Sequence, residues 1–369
     1  MRKYVLIPDS FKGTMSSLDV CRIVTDAILS QEPDAAVCAI PVADGGEGTV
    51  EAFLSAVGGQ RIPVACTGPY GEPITACYGL LPDGTAVVEM AAAAGLPMVG
   101  KDRNAERTTT YGVGQLIVHA ARHGARQIVL ALGGSATNDG GCGAAVAVGI
   151  RFLNAAGEAF VPVGATLKDI ARIDTAAMDE AVRRVPFITM CDIDNPLCGP
   201  IGASAVFGPQ KGADAAMVRR LDDGLYHLAG VIRRDLDCDV LDLFGAGAAA
   251  FFRSPLRMGI DVVLSLTEFD RRAADADLVI TGEGKLDSQS LRGKVVIGVA
   301  RRAKALGVPV AALVGASELD VSAAYEEGAS GIFPINPAPA PFDQVKPLCR
   351  EHLRFTAENL IRFFRAARP

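Results

Sequence analysis

Several residue types and motifs are scarce or missing in this sequence, and each absence argues against a class of protein. Histidine occurs only four times, so acid–base chemistry based on histidine has little support. The nine cysteines include no CxxC pair, which fits buried, reduced thiols better than disulfides or a zinc site. No lysine- and arginine-rich run stands out, and the net charge of −6 argues against nucleic acid as a partner.

Two further absences concern membranes and secretion. No apolar stretch approaches the roughly 20 residues that cross a bilayer, so we expect no membrane partner. The first ten residues, MRKYVLIPDS, reach a proline and an acid after only a few apolar residues, which argues against a signal peptide. We therefore expect a cytoplasmic protein.

The common nucleotide-binding motifs are absent or weak. The pattern GxxxxGK[ST] does not occur, because Gly293-Lys294 is followed by valine and lacks the upstream glycine. Residues 245–250 match GxGxxA, but chance explains such a match in a chain with 40 glycines. His119 and His123 lie four residues apart without the glutamate of HExxH. Carboxylates are therefore the leading candidates for acid–base chemistry.

What is present predicts an α/β protein with two domains, since 369 residues suffice for two domains of about 150 residues. Short apolar strands at residues 4–8, 36–42, 277–281, 308–315 and 331–334 alternate with helices at 16–30, 49–57, 288–306, 321–327 and 342–365. This alternation predicts a doubly wound parallel sheet, covered on both faces and built from both ends of the chain.

The middle of the chain predicts a second, mixed α/β domain. Strands at 75–81 and 86–90 flank a hairpin turn, further strands lie at 127–132 and 186–191, and helices lie at 114–123 and 214–234. We assign residues 1–58 and 268–369 to one discontinuous domain and residues 59–267 to the inserted domain. We expect the active site in the cleft between them, a common place for a ligand.

A glycine-rich loop, GGSATNDGG, follows the strand at 127–132 and runs from Gly133 to Gly141. Glycine lets a backbone approach an anion closely, and successive N–H groups can converge on phosphate oxygens. The apolar run after the loop predicts a helix whose N-terminus adds its positive end. Taken alone, such a loop is also typical of a tight turn before a capped helix.

Three similar loops favour a ligand site. They read PDSFKG at 8–13, ADGGEGT at 43–49 and TGEGKLD at 281–287. Each combines glycine with an acid or a lysine, and ligands of open α/β sheets collect outside the carboxyl ends of the strands. Phosphoryl transfer requires cations, N–H donors and carboxylates for Mg²⁺. The four loops together therefore predict a phosphoryl-transfer site.

The blocks that carry these loops resemble the bacterial glycerate kinases of the first class. They are PDSFKG (8–13), VADGGEGT (42–49), GGSATNDGG (133–141), CDIDNPLCGPIGASAVFGPQKGA (191–213) and TGEGKLDSQSLRGK (281–294). The resemblance implies a flavodoxin-like domain interrupted by a second α/β domain. It also implies phosphorylation of D-glycerate to 2-phosphoglycerate by ATP and Mg²⁺, in a monomer or homodimer.

Residue roles can be proposed for the reacting groups and the substrate. Asp192 is the candidate that orients or deprotonates the glycerate hydroxyl, with turn capping as its structural alternative. Lys12 is the candidate that neutralises the transferring phosphate or holds the substrate carboxylate; the alternative is a solvated loop lysine. Asp9 and Ser10 are expected in the same pocket, together with Asp44.

The metal and the nucleotide have their own candidates. Asp44 and Glu47 are the candidates for Mg²⁺, although Asp44 could instead cap a helix. The candidates for the nucleotide are Gly133, Gly134, Ser135, Asn138, Asp139, Lys211, Glu283 and Asp287. Lys211 could equally lie in an ordinary turn, and the last two acids could serve a metal or cap the helix that follows.

One segment departs from the family. Its members carry a stretch like PGAGAAGG before a segment resembling residues 244–248, whereas Asp242-Leu243 here passes directly into Phe244. Such a glycine-rich loop could border the nucleotide or the substrate, in which case its loss affects activity; loss of a surface loop, by contrast, is often tolerated. Two alternatives to a glycerate kinase stay open, which are a kinase for another small hydroxy acid and a ligand-binding relative that lost turnover with this stretch.

Overall fold

A computed structural model describes residues 1–43, 45–101, 103–192, 195–243, 245–288, 290–318 and 320–367. The chain divides into two units. The first unit comprises Met1–Asp44, Glu51–Val57 and Met258–Pro369, and the second unit comprises Gly45–Val50 and Gly58–Arg257. We propose that these units are the two domains.

The bounds of the elements are as follows. The strands are β1 (Lys3–Pro8), β2 (Ala36–Ala39), β3 (Gln60–Thr67), β4 (Pro73–Leu80), β5 (Thr85–Glu89), β6 (Gln127–Ala131), β7 (Arg151–Leu153), β8 (Ala159–Phe160), β9 (Arg172–Asp174), β10 (Phe187–Met190), β11 (Leu256–Arg257), β12 (Leu278–Leu286), β13 (Val310–Ser317) and β14 (Gly331–Pro334). The α-helices are α1 (Ser17–Gln31), α2 (Thr49–Val57), α3 (Ala91–Ala94), α4 (Tyr111–Arg122), α5 (Cys142–Ala147), α6 (Glu180–Arg184), α7 (Ala203–Phe207), α8 (Ala215–Leu236), α9 (Ala246–Phe252), α10 (Gly259–Leu266), α11 (Phe269–Ala273), α12 (Val295–Ala305), α13 (Ala323–Glu326), α14 (Phe342–Val345) and α15 (Cys349–Ala367). In the part of the chain that the structure describes, no helix is both long and apolar enough to cross a bilayer.

The sheet of the first unit is entirely parallel, in the order β14-β13-β12-β1-β2. Numbered within this unit, its strands follow the order 2-1-3-4-5, which is the flavodoxin-like order. Helices α1 and α15 cover one face, where Val24 and Leu353 pack in one core with Leu6. Helix α12 covers the other face, where Val296 packs with Val314. The predicted doubly wound parallel sheet is confirmed.

Helix α1 begins where the sequence predicts. The hydroxyl of Ser16 accepts a hydrogen bond from the N–H of Asp19, and the Asp19 carboxylate accepts one from the N–H of Ser16. This capping box satisfies donors that have no partner within the helix. Val20, Val24 and Ile28 then form its buried face, so the pattern of capping and apolar residues fixes both the start of the helix and its packing.

Strand β12 is longer than predicted. The prediction of a loop at residues 281–287 is wrong over most of that range, because residues 281–286 belong to the strand. The strand continues to Leu286, which pairs with Ser317 of β13. Its glycines permit close strand pairing, because a Cβ atom on Gly282 would lie 2.1 Å from the carbonyl oxygen of Leu313. Glycine in this segment therefore indicates a close backbone approach to a neighbouring strand.

The sheet of the second unit has the order β11-β10-β6-β5-β4-β3 and is mixed. The predicted hairpin is confirmed, since β4 and β5 pair antiparallel with Leu80 opposite Ala86. Strands β5, β6, β10 and β11 are parallel. A second small sheet, β8-β7-β9, and strand β3 were not predicted. The carboxyl ends of β5, β6 and β10 therefore meet at one edge of the larger sheet.

Candidate active site

Three strands of the second unit end side by side, and the loops that follow them form the candidate site. Strand β6 lies between β5 and β10, with Ala131 opposite both Glu89 and Met190. The glycine-rich loop that begins at Gly133 follows β6, and Asp192 follows β10. Parallel strands bring these two predicted features to the same edge.

The glycine-rich loop packs closely against the loop at Gly45–Glu47, which belongs to the same unit. The N–H of Gly133 donates to the carbonyl oxygen of Gly45 at 2.8 Å. A Cβ atom on Gly133 would lie 2.7 Å from the Cα atom of Gly46, so only glycine fits here. Gly134 has φ +72°, a left-handed conformation that also favours glycine. Two of the four predicted loops thus come together.

Replacing Gly133 by alanine should lower the free energy of unfolding by about 1–3 kcal/mol, because overpacking of this size has that cost. It should also reduce activity by displacing the loop at Gly45–Glu47. The matched control is Gly230→Ala on α8, where an added Cβ meets nothing within 4 Å. We expect that control to raise the free energy of unfolding by about 0.5–1 kcal/mol through helix propensity. Urea unfolding of both variants checks this, and equal effects would contradict it.

Asp139 is fully buried and holds the far end of the glycine-rich loop. Its carboxylate accepts hydrogen bonds from the N–H and the hydroxyl of Thr110 and from the N–H groups of Gly141 and Gly143. Burial raises its pKa, whereas these hydrogen bonds act in the opposite direction. The N–H of Ala144 donates to the Thr110 hydroxyl. The first N–H groups of α5 therefore donate to Asp139 and Thr110. The prediction that this helix end is open to an anion is wrong for these groups.

The middle of the loop has donors that remain available. The N–H groups of Gly134, Ser135 and Thr137 meet no acceptor among the described residues. Lys211 lies beside them, and its Nζ donates to Ser135 Oγ at 3.0 Å and to the carbonyl oxygen of Thr137 at 2.6 Å. Burial lowers the pKa of Lys211 to about 8, although the charge of Asp139 opposes this shift. A buried cation and free N–H groups together suit a phosphate.

A cavity of about 320 Å³ opens beside this loop within the second unit. That volume lies in the range of small-molecule sites, roughly 300–1,000 Å³. The loop and Lys211 form its polar wall, and its apolar wall consists of Val113, Leu132, Leu197, Leu225 and Phe252. A cavity with both polar and apolar walls suits a nucleotide.

The segment after the sequence shortening also borders this cavity. Gly245 and Gly247 line it, whereas Phe244 lies outside the described residues. A Cβ atom on Gly247 would lie 2.1 Å from the carbonyl oxygen of Gly140, so α9 packs directly on the glycine-rich loop. The shortened stretch therefore precedes a wall of the cavity.

Other candidates of the second unit have different surroundings. Asn138 is buried, and its Nδ2 donates to Ser204 Oγ at 3.2 Å. Asp192 is half-buried after β10, and Glu47 is exposed on the loop that packs against Gly134. Asp44, predicted for both metal and substrate, lies outside the described residues.

Glu89 is a buried residue of this edge that the sequence motifs did not identify. It ends β5, and its carboxylate accepts a hydrogen bond from the N–H of Val50 at 2.6 Å. Burial raises its pKa, and hydrogen bonds from Val50 and Gly48 act in the opposite direction. Glu89 therefore fixes the start of α2 and the loop before it. A charged residue at the end of a buried strand was the only sequence signal.

Five further candidates belong to the first unit, namely Asp9, Ser10, Lys12, Glu283 and Asp287. The carboxylate of Asp9 accepts a hydrogen bond from the N–H of Ser10 at 2.6 Å. Lys12 is exposed, and Glu283 is buried. Asp287 accepts a hydrogen bond from the N–H of Ser290 at 3.3 Å, which is a capping arrangement. Among the described residues, no group of three or more histidine, cysteine or acidic side chains is arranged to hold a metal ion.

Comparisons with known proteins point to one family. Residues 4–365 match the sequence model of the glycerate kinase family. The glycerate kinase of Bacillus cereus is 42% identical over 375 residues, which cover 99% of this chain and 98% of that protein. The glycerate 2-kinase of Escherichia coli is 41% identical, with 90% of both chains covered.

A solved structure agrees in both sequence and fold. The crystal structure that carries the name glycerate kinase 2, from Salmonella typhimurium LT2, matches with a TM-score of 0.86 at 41% identity, and 99% of each chain is covered. The resemblance predicted from the sequence blocks is confirmed. This chain is therefore a kinase that belongs to the glycerate kinase family.

Proposed function

We propose that this enzyme transfers the γ-phosphoryl group of ATP in line to O2 of D-glycerate, with Mg²⁺ bound to the nucleotide. The observation that carries the proposal is the buried Lys211 beside the free N–H groups of Gly134, Ser135 and Thr137. Phosphoryl transfer depends mainly on positioning and on neutralising phosphate charge, and these groups supply both.

The nucleotide has its phosphates on the glycine-rich loop and its base against the apolar wall of the cavity. The free N–H groups donate to phosphate oxygens, and Lys211 adds a positive charge that its hydrogen bonds to Ser135 and Thr137 hold in position. We assign Asn138 and Asp139 to a supporting role, in which their hydrogen bonds hold the loop in shape.

The residues present fit a magnesium ion that arrives with the nucleotide. Mg²⁺ usually takes one or two carboxylates, phosphate oxygens and several waters, so it does not need a cluster of three acids. Glu47 is exposed on the loop that packs against Gly134, and this position supports the proposal that its carboxylate binds the ion. When bound, Mg²⁺ neutralises the charge that develops on the transferring group. Asp44 remains a proposal for the same ion.

The reacting hydroxyl is assigned to Asp192, which orients it and receives its proton. Lys12 is proposed to neutralise the transferring phosphoryl group, and Asp9 and Ser10 to contact the substrate. A kinase needs a supply of ATP, which the cytoplasm provides, so we propose that the enzyme acts in the cytoplasm. A monomer or a homodimer is proposed as the active form.

An assay of ADP formation with a panel of acids tests the proposal. We expect turnover with D-glycerate and Mg²⁺, and much less with L-glycerate, glycolate or D-lactate. EDTA should abolish the activity, and Mg²⁺ should restore it. Turnover of another acid in preference to D-glycerate would indicate a different hydroxy-acid kinase. Binding of ATP without any ADP formation would indicate a ligand-binding relative without turnover, the alternative that the sequence analysis connects with the shortened segment before Phe244.

A further inference from the structure

The carboxyl end of β1 lies beside the middle of β12 in the first unit, at the point where the strand order reverses. The order β2-β1-β12-β13-β14 takes the chain from β1 toward one edge and from β12 toward the other. Pro8 pairs with Gly282, and the N–H of Asp9 donates to the carbonyl oxygen of Gly282 at 2.8 Å. Ligands of open α/β sheets bind at this switch point.

An acid follows this pair of residues on each chain segment. Glu283 follows Gly282 within β12, and Asp9 follows Pro8 directly after the end of β1. Val314 pairs with Glu283 and packs with Val296 of α12. The carboxyl group of Glu283 therefore lies between the sheet and the layer of α12, close enough to Asp9 for the charge of Asp9 to act on it.

Glu283 is buried without a full set of partners. It is only 7% exposed, and its Oε1 atom meets no hydrogen-bond donor among the described residues. Burial raises its pKa to about 7; the charges of Asp9 and Asp287 act in the same direction, and the Ser290 hydroxyl and Lys294 act against it. A buried polar atom without a partner is costly and calls for an explanation, such as a ligand that supplies the partner.

Helix α12 supplies the opposite chemistry beside Glu283. Lys294 is its N-cap residue and its side chain does not cap the helix. The N–H groups of Val295, Val296 and Ile297 meet no acceptor among the residues that the structure describes. Such a helix end, together with a lysine, binds an anion. A buried acid that lacks a donor and a helix end that lacks acceptors therefore occur together.

We infer that Glu283 is a specificity-determining residue, whose carboxyl group hydrogen-bonds the substrate hydroxyl that is not phosphorylated while the first turn of α12 binds the substrate carboxylate. This inference rests on the proposed function and assigns Glu283 to the substrate rather than to the nucleotide. Glu283 is a buried acid with an oxygen atom that lacks a donor, so its carboxyl group fits a substrate hydroxyl. The ligand class is a small 2,3-dihydroxy acid, of which D-glycerate is the simplest.

The test compares D-glycerate with D-lactate, which lacks the hydroxyl at C3. A site built to hydrogen-bond a hydroxyl rejects the analogue without it by about 10⁴-fold. We expect that ratio of kcat/KM in the wild type and a ratio below about 10² in Glu283→Met, mainly through lost activity on D-glycerate. Glu326→Met, at an exposed position on α13, should keep the wild-type ratio.

The outcomes separate this inference from the proposed function. Turnover of D-glycerate with an unchanged ratio in Glu283→Met would overturn the inference alone. A wild type that does not phosphorylate D-glycerate would overturn the proposed function and the inference with it. Glu283→Gln keeps the shape of the side chain and guards against a folding defect, and its ratio should fall about tenfold because the amide is a weaker partner.

Discussion

The Asp192→Asn variant is expected to lose about 10²–10⁴-fold in kcat with D-glycerate, the range by which a positioned general base accelerates a reaction. Asparagine has the same shape but does not accept the proton of the reacting hydroxyl. Asp192 is half-buried at the carboxyl end of β10, beside the strand that leads into the glycine-rich loop. Steady-state kinetics should show the loss in kcat, with the Kd for ATP nearly unchanged.

The control for this prediction is Asp223→Asn, which makes the same chemical change at an exposed position on α8. It should retain wild-type kcat and the wild-type unfolding temperature. If Asp192→Asn keeps more than a tenth of wild-type kcat, the assignment of Asp192 to the reacting hydroxyl is wrong. If it unfolds at a much lower temperature, its role is the structural one of capping a turn.

Replacing Lys211 by methionine should reduce kcat/KM for ATP by about 10³-fold. Each charge-assisted hydrogen bond to a phosphate contributes about 1.5–3 kcal/mol, and the same cation stabilises the transition state. Methionine fills a similar volume, and removal of an ionised group from a buried site relieves its desolvation. This gain is offset by the loss of the two hydrogen bonds to Ser135 and Thr137, so we expect the unfolding temperature of the ligand-free protein to change little. Lys168→Met, at an exposed position of the same unit, is the matched control.

Lys211 should also couple nucleotide binding to protons. Its pKa is about 8, so it is half-protonated near that pH in the ligand-free protein. Bound phosphates raise this pKa, so binding near pH 8 takes up about half a proton, and affinity falls as the pH rises further. Calorimetry in buffers with different ionisation enthalpies measures the uptake. Equal uptake in the wild type and in Lys211→Met would contradict the assignment.

The sequence was informative wherever a local pattern has one physical cause. The apolar strands at both ends of the chain predicted the doubly wound parallel sheet, and the helical pattern at residues 16–30 predicted α1. The glycine-rich loop after β6 was likewise recognisable, because an apolar strand, glycines and small hydroxyls occur together. These features depend on neighbours within about ten residues of the chain.

The remaining features depend on contacts that are distant in sequence. Lys211 meets Ser135 across 76 positions, and Glu89 meets Val50 across 39. Glycine adds a second ambiguity. It indicates that another part of the backbone lies close by, but the sequence does not show which part. At Gly133 the partner is another loop, and at Gly282 it is a neighbouring strand. No local pattern distinguishes these cases, so the loop predicted at 281–287 was wrong.

The most direct test of the central claim is phosphorus NMR of the purified enzyme with ATP, Mg²⁺ and D-glycerate. The signal of the product distinguishes phosphorylation at O2 from phosphorylation at O3. We predict 2-phosphoglycerate in step with ADP, and none without the enzyme. A product phosphorylated at O3, or no phosphoglycerate from folded enzyme that binds ATP, would contradict the claim.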